Sequence, residues 1–367
     1  MKTITRVLLA VLLALAGTVA TTGTAASAAA LPGVVLTSSA ATLPAELAPL
    51  ATGRRVQYVS TNINGGLITA TGLVLTPKTG KKNKTVAWGH GTTGLADQCA
   101  PSTNQGVFWE EARIAVAELL SRGWTVAAPD YPGLGTPQAH PYLIGASEGR
   151  SLIDSVKAAR NLDAALSTQY VVDGHSQGGQ GALFASQLAP SYDGNLVLRG
   201  TASIAPLSNA DILAPLIPGS PAQGYLVMAL YGINAVEPTF QPFTYLAAPA
   251  EQRVGVLHSG CLYQILEAYE PLTAEQLLTG GTVAPTIINK FKQYLNPAKT
   301  SPSAPVLIVH GDADMDVPYF LSADYLVPQL EAYNIPVQFE TIEGADHDQA
   351  VIDSAELVAD WIAARFA

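Results

Sequence analysis

Short apolar runs alternate with helical segments along most of the chain. Strand-like runs occupy residues 125–128, 170–172, 196–204, 306–309 and 337–342, and helical patterns occupy residues 112–121, 151–162 and the segment with Val351 and Trp361. Strand–helix–strand repeats predict a mostly parallel sheet with helices on its faces. Earlier β-branched runs, at residues 56–61, 67–76 and 85–88, predict that the sheet begins with antiparallel strands. The sequence therefore predicts an α/β fold.

Two segments depart from this alternation. Residues 206–304 hold apolar, partly helical stretches broken by Pro and Gly, and we interpret them as an inserted, mainly helical cap. Pro218 and Pro221 argue against a transmembrane helix there. Residues 29–54, rich in Ala, Pro, Ser and Leu, are predicted to form an N-terminal arm or short helix on the surface. The main domain is expected over residues 55–367.

Residues 1–28 have the pattern of a secretory signal peptide. Two basic residues precede an apolar run at residues 7–16, and small residues ending at Ala28 offer a cleavage site. The run is shorter than an ordinary membrane span, so an uncleaved anchor is the less favoured alternative. We expect export with cleavage near Ala28, no stable membrane insertion, and contact with a lipid surface that is at most transient.

The charge and the cysteines limit the partners and the compartment. The formal net charge is −10, and loss of Lys2 and Arg6 with the signal peptide would make it more negative. Nucleic acid would be repelled, so we exclude a nucleic-acid partner. Cys99 and Cys261 are expected to form a disulfide in an oxidising exterior, with two free buried thiols as the alternative. Neither cysteine has the spacing of a zinc ligand, and no structural zinc is predicted.

The segment Gly174-His175-Ser176-Gln177-Gly178 lies between a predicted strand and a predicted helix. It fits the G-x-S-x-G pattern, in which a serine occupies a sharp strand-to-helix turn. The turn strains the serine backbone and needs glycine on both sides, because a side chain there would collide with neighbouring strands. An ordinary strand-to-helix turn is the alternative. We take Ser176 as the candidate nucleophile.

A serine hydroxyl needs a base that accepts its proton and an acid that orients the base. His347 follows the last predicted strand and is the candidate base, although a helix-capping or surface histidine could occupy the same position. Asp312, Asp314 and Asp316 follow the strand at residues 306–309 and compete as the acid.

The segment from Gly311 to Pro318 has a G-x-x-D-x-x-V-P spacing that resembles the one around the acid of α/β-hydrolases, and it favours Asp314, with Asp316 in reserve. A calcium loop is excluded because its sixth position would be Val317 rather than Gly and its twelfth would be alanine rather than Glu. The chain order Ser, Asp, His is the order of α/β-hydrolases.

A tetrahedral intermediate also needs donors for its oxyanion. The backbone N–H of Gln177, directly after the serine, is the first candidate, and that of Thr92, in a Gly-rich loop after an apolar strand, is the second. A glycine turn without a ligand role is the alternative for that loop. The other histidines show no helical metal-site spacing and are interpreted as loop or hydrogen-bonding residues: His90, His140, His175, His258 and His310. No metal site is predicted.

Several fragments carry a resemblance to a known family: residues 88–94 with 97–102, residues 128–135, Asp154 with 158–160, and residues 174–178. With them, the chain from about residue 55 onward resembles the secretory lipase family of α/β-hydrolases, which includes fungal lipase A-type enzymes and actinobacterial secreted esterases. The resemblance implies an α/β-hydrolase fold, a carboxylic ester hydrolase with Ser176, Asp314 and His347 as its triad, and a helical cap over an acyl pocket. Residues 206–304 hold no matching fragment, so acyl-chain length stays open.

We therefore expect a secreted serine carboxylic ester hydrolase, a lipase or esterase, that acts on a small-molecule or lipid ester through an acyl-enzyme on Ser176 and needs no cofactor. Two alternatives stay open. A secreted serine exopeptidase of the same fold would need a charged site for a free amino terminus. A non-catalytic protein that binds lipophilic ligands is disfavoured by the complete triad. No pattern fixes the oligomeric state.

Overall fold

The structure is a computed structural model that describes residues 31–367. The signal peptide expected over residues 1–28, with its cleavage near Ala28, lies outside the described residues. Within residues 31–367 the predicted alternation of strands and helices is confirmed. The strands are β1 (Val35–Ala41), β2 (Ala51–Thr61), β3 (Leu67–Pro77), β4 (Thr85–Gly89), β5 (Thr125–Pro129), β6 (Gln169–Gly174), β7 (Val197–Ile204), β8 (Val306–Gly311) and β9 (Val337–Ile342).

Helices flank and interrupt this series of strands. They are α1 (Glu110–Ser121), α2 (Gly145–Leu162), α3 (Gln177–Tyr192), α4 (Ala210–Leu213), α5 (Gln223–Val236), α6 (Ala248–Glu251), α7 (Val256–Ser259), α8 (Leu262–Tyr269), α9 (Ala274–Leu277), α10 (Pro285–Tyr294), α11 (Val327–Glu331) and α12 (Gln349–Phe366). A π-helical turn, Leu321–Leu326, leads into α11. None of the helices in residues 31–367 is long and apolar enough to span a membrane.

The strands of the described chain form one sheet in the order β1-β2-β3-β5-β4-β6-β7-β8-β9. The pairs from β1 to β5 along this order are antiparallel, and the pairs from β5 to β9 are parallel. The parallel strands therefore end at one edge of the sheet. Thr92 follows β4, Ser176 follows β6, Asp314 follows β8 and His347 follows β9, so all four lie at this carboxyl edge.

Neighbouring residues of the central strands point to opposite faces of the sheet. Val86 and Val171 pack in a buried cluster with α1 and α12, whereas Ala87 and Val172 pack in another with α2 and α3. The sheet is thus the middle layer between two layers of helices. Apolar burial on both faces provides most of the driving force for this arrangement.

A helical insert separates β7 from β8 and contains α4 to α10, within the residues interpreted as a cap. It has its own buried apolar cluster, which includes Leu226, Leu230, Ile265 and Phe291. The predicted disulfide between Cys99 and Cys261 is confirmed, and it bridges 162 residues of sequence. It ties the loop after β4 to the start of α8.

The N-terminal segment differs from its prediction. Residues 29–54 were expected to form a surface arm or short helix, but within the described part Val35–Ala41 is the edge strand β1 and β2 begins at Ala51. The sequence of β1, Val-Leu-Thr-Ser-Ser-Ala-Ala, lacks the β-branched enrichment that marked the later strands. The local sequence has only a weak preference for a strand, and antiparallel hydrogen bonds to β2 stabilise β1 instead.

Candidate active site

Ser176 occupies the sharp turn between β6 and α3. Its backbone angles are φ 55° and ψ −115°, a strained conformation of the kind that a G-x-S-x-G turn imposes. A Cβ on Gly174 would lie 2.4 Å from the carbonyl oxygen of Gly178, and a Cβ on Gly178 would lie 2.0 Å from that of Gly89. The two glycines therefore allow the close backbone approach that holds Ser176 in this turn.

The structure brings Asp314 and His347 together. His347 lies in the loop between β9 and α12, and its Nδ1 is 2.6 Å from Asp314 Oδ2. His310 Nε2 lies 3.1 Å from the same carboxylate oxygen. Asp314 Oδ1 accepts hydrogen bonds of 2.9 Å from the backbone N–H groups of Asp316 and Val317. Asp314 is thus held at both oxygens, and one of them faces the candidate base.

These contacts shift both pKa values. Burial alone would raise the pKa of Asp314, but hydrogen bonds from His310 and His347 hold it well below its usual value. Burial alone would lower the pKa of His347, but the hydrogen bond to Asp314 and the negative charges around it raise that pKa above its usual value. Asp314 therefore stays a carboxylate, which fixes the Nδ1–H tautomer of neutral His347 and leaves Nε2 with a free lone pair.

Ser176 and His347 line the same cavity, between the carboxyl edge of the sheet and the helical insert. No hydrogen bond joins their side chains in the described structure, and such contacts often tighten only when substrate binds. Most of the cavity wall is apolar and includes Leu207, Leu213, Ile217, Leu226, Phe291 and Leu295. The site therefore combines a few polar groups with a mostly apolar cavity wall.

Thr92 and Gln177, the predicted oxyanion donors, both line this cavity. Neither backbone N–H meets an acceptor within the part of the chain that the structure describes, so both are available to a ligand. Their side chains are held aside: Thr92 Oγ1 is 2.7 Å from the Tyr142 hydroxyl, and Gln177 Nε2 donates to Glu148 at 2.8 Å.

Asp316, the reserve acid, also lines the cavity. Its carboxylate makes no hydrogen bond with any histidine among the described residues, in contrast to that of Asp314. Burial raises the pKa of Asp316. The hydrogen bonds therefore distinguish Asp314 from Asp316 as the candidate acid. In the sequence, only the motif spacing distinguished them.

A family model described as Secretory lipase matches residues 99–367, well over half of the chain. The chain belongs to the secretory lipase family. Secreted triacylglycerol lipase LIP7 of Malassezia globosa is 28% identical to it over 333 residues, which are 84% of this chain and 70% of that protein. Lipase A of Moesziomyces aphidis is 24% identical over 322 residues, which are 81% of this chain and 68% of that protein.

Solved structures share the fold of this secretory lipase family member. The closed state of Candida antarctica lipase A has a TM-score of 0.78 at 22% identity and covers 92% of this chain and 83% of its own. The rice cell wall degrading esterase LipA from Xanthomonas oryzae has a TM-score of 0.73 at 22% identity, over 91% of this chain and 99% of its own. The predicted α/β-hydrolase fold is therefore confirmed, and the family is one of lipases, which hydrolyse esters.

Two histidines have contacts at this site that sequence reasoning did not assign. His310, which bonds Asp314, also lies 2.8 Å from the Ser322 hydroxyl, and His175 Nε2 lies 3.1 Å from the carbonyl oxygen of His347. Both had been interpreted only as loop or hydrogen-bonding residues. Only their positions could have indicated these contacts, since His310 is the residue before the last of β8 and His175 directly precedes Ser176.

A second cavity beside the first contains a group of side chains with metal-binding atoms. Glu111, His175 and Asp348 each place one such atom within 4.8 Å of the other two. All three line the cavity, together with Ser176 and His347.

Proposed function

We propose that this chain is a secreted serine hydrolase that cleaves carboxylic esters of lipids through an acyl-enzyme on Ser176, with His347 as general base and Asp314 as the orienting acid. The observation that carries the proposal is the 2.6 Å contact between Asp314 and His347 at the cavity that Ser176 also lines. Export is supported by the signal pattern of residues 1–28 and by relatives that are named secreted lipases.

The proposed reaction begins with proton transfer from Ser176 Oγ to His347 Nε2. The serine oxygen bonds to the ester carbonyl carbon, and the carbonyl oxygen becomes an oxyanion that accepts from the N–H groups of Thr92 and Gln177. The intermediate then breaks its bond to the alcohol oxygen, which takes the proton from His347. Water attacks the acyl-enzyme in the same way and releases the carboxylic acid.

The apolar cavity wall favours the acyl part of an ester as its occupant. A hydrocarbon chain that enters it leaves water at a gain of about 0.8 kcal/mol per buried methylene. The carbonyl would then lie near Ser176 and the two backbone donors, which line the same cavity. This combination favours an ester with an apolar acyl chain as substrate, since the chain matches the apolar wall and the carbonyl matches the polar groups.

Labelling with a fluorophosphonate probe, followed by peptide mapping, tests the nucleophile. We expect one modified residue, Ser176, and no labelling of Ser176→Ala. Ser191→Ala, at the exposed far end of the same helix, is the matched control and should label like the wild type. Labelling at any other residue would reject the assignment.

Turnover of p-nitrophenyl esters and of aminoacyl anilides tests the reaction class. We expect turnover of the esters, and rising kcat/KM as the acyl chain is extended from acetyl. Exclusive cleavage of the anilides would favour the exopeptidase. Binding of fatty acid without turnover of either class would favour a non-catalytic protein.

A further inference from the structure

Three side chains that the proposed mechanism does not use lie close together in the cavity beside the first. Glu111 comes from the first turn of α1, His175 directly precedes Ser176, and Asp348 directly follows His347. We propose that Glu111, His175 and Asp348 bind a divalent transition-metal ion, for which Zn²⁺ is the first probe. Their ligand atoms all lie within 4.8 Å of one another, at the wall of a cavity.

His175 presents the ring nitrogen that such an ion needs. Its Nε2 lies 3.1 Å from the carbonyl oxygen of His347, and because a carbonyl can only accept, Nε2 carries the hydrogen. The lone pair of the neutral ring is therefore on Nδ1. A backbone carbonyl that fixes the tautomer in this way is the usual outer partner of a metal-binding histidine.

Nδ1 of His175 has no hydrogen-bond partner among residues 31–367, although the residue is only 2% exposed. A buried polar atom without a partner costs free energy, so a native structure normally supplies one. Gly91 leaves room beside it, since a Cβ there would lie 3.3 Å from Nδ1. Gly91 lines the same cavity as His175 and the two carboxylates, so the unpartnered nitrogen lies next to a residue of the cavity wall.

Arg113 and, when protonated, His347 are the described positive groups that act on these two carboxylates, and neither forms an ion pair with them. Neither Glu111 nor Asp348 forms an ion pair with a described Lys or Arg, and neither accepts a hydrogen bond from a described side chain. Burial and the nearby charge of Asp348 raise the pKa of Glu111 to about 7. Arg113, the nearest cation on α1, donates instead to the carbonyl of Phe108 and pairs with Glu46. A divalent cation would neutralise both acids at once.

The ligand types select the metal. One imidazole with two carboxylates suits Zn²⁺ and its neighbours in the first transition row, whereas Ca²⁺ and Mg²⁺ prefer oxygen alone. Ligand atoms at about 2.1 Å from a tetrahedral ion stand roughly 3.4 Å apart. Small rotations of the Glu111 and Asp348 side chains would bring the ligand atoms from within 4.8 Å to this shorter separation. Water from the cavity would fill the fourth coordination position.

Titration of the chelator-treated, dialysed full chain with ZnCl₂ in a calorimeter tests the proposal. We expect saturation at one ion per chain, and visible absorption from Co²⁺ bound at the same site. Glu111→Gln and Asp348→Asn should each weaken Zn²⁺ binding by about tenfold or more. Two exposed acids serve as controls: Glu110 lies on α1 beside Glu111, and Asp353 lies on α12, which begins directly after Asp348. The variants Glu110→Gln and Asp353→Asn should leave the Kd unchanged.

Thermal unfolding by circular dichroism provides the second readout. Zn²⁺ should raise the Tm of the wild type and of both controls, because a ligand that binds only the folded state stabilises it. At the same Zn²⁺ concentration it should raise the Tm of Glu111→Gln and Asp348→Asn by less. Absence of saturable binding would overturn the proposal, as would equal Kd values in ligand and control variants. If Glu111→Gln does not fold, the exposed Asp348→Asn decides alone. The readouts do not depend on ester hydrolysis, so failure here leaves the proposed function standing.

Discussion

Replacing Asp314 by asparagine would test the link between the acid and the base. Asp314 Oδ1 accepts from two backbone N–H groups, so the amide oxygen of the variant would keep that position. The amide nitrogen would then occupy the Oδ2 position, which faces His347 Nδ1. Since an NH₂ group only donates, His347 would have to accept at Nδ1 and carry its hydrogen on Nε2. Such a ring has no lone pair on Nε2, the nitrogen that would accept the serine proton.

The structure sets the size of the loss. To restore the productive tautomer the amide must flip, which turns its NH₂ group against the N–H groups of Asp316 and Val317. Each unpaired donor costs about 1–3 kcal/mol, so the productive state lies about 2–6 kcal/mol higher. At 1.36 kcal/mol per tenfold change, kcat should fall by roughly 30-fold to 10⁴-fold. The corresponding change in a serine protease triad lies at the upper end, about 10⁴.

The assay compares Asp314→Asn with Asp316→Asn, in which a nearby carboxylate that bonds no described histidine is changed in the same way. Hydrolysis of a p-nitrophenyl ester should be measured at alkaline pH with a chelator present, so that neither a protonated His347 nor a bound metal contributes. We expect Asp316→Asn to retain kcat within about tenfold. A loss of several powers of ten in Asp316→Asn, with Asp314→Asn near the wild type, would refute the reasoning.

Three further predictions concern pH, the serine turn and the disulfide. The raised pKa of His347 means that activity, which needs the neutral ring, should fall as pH drops through a midpoint above 6.5, and a pH–rate profile with a lower midpoint would contradict it. Gly178→Ala should lower the free energy of unfolding by about 3 kcal/mol or more, because its Cβ would lie 2.0 Å from a carbonyl oxygen of β4. In the control Gly194→Ala, the added Cβ would lie within 4 Å of no described atom, so its Tm should equal that of the wild type. Replacing Cys99 and Cys261 together by serine should lower the free energy of unfolding by up to about 5 kcal/mol, from the entropy of a loop closed over 162 residues, and denaturant titration measures it.

The fold could be predicted where local pattern and tertiary environment agree. Strands β4, β5, β6 and β8 are buried on both faces, so their sequences contain short apolar runs, and each was predicted close to its observed position. Strand β1 has one neighbour and half-exposed residues, so its local sequence carries little signal. Helix α2 begins at Gly145, before the predicted start near residue 151, because its first turn packs buried polar residues such as Ser147 and Glu148 that show no apolar periodicity.

The candidate site could be predicted in outline for a topological reason. The carboxyl ends of parallel strands share one edge, so polar residues just after β4, β6, β8 and β9 were expected to meet there. Choosing between Asp314 and Asp316 needs the side-chain direction, which spacing does not determine. The contacts of Glu148 with Gln177 and of Tyr142 with Thr92 depend on how helices pack, and no local pattern carries them.

The same topology explains why a metal-type cluster lies beside the site without a sequence signature. His175 and Asp348 are chain neighbours of Ser176 and His347, so any fold that brings the serine to the histidine also brings these two near each other. These residues show neither the helical spacing of paired histidines nor the spacing of cysteine ligands, because their proximity comes from the sheet edge. Glu111 is the exception: α1 packs beside α12, and the first turn of α1 aims this carboxylate inward. Glu111 is thus a buried acid without an ion pair to a described Lys or Arg, and a bound cation would provide its partner.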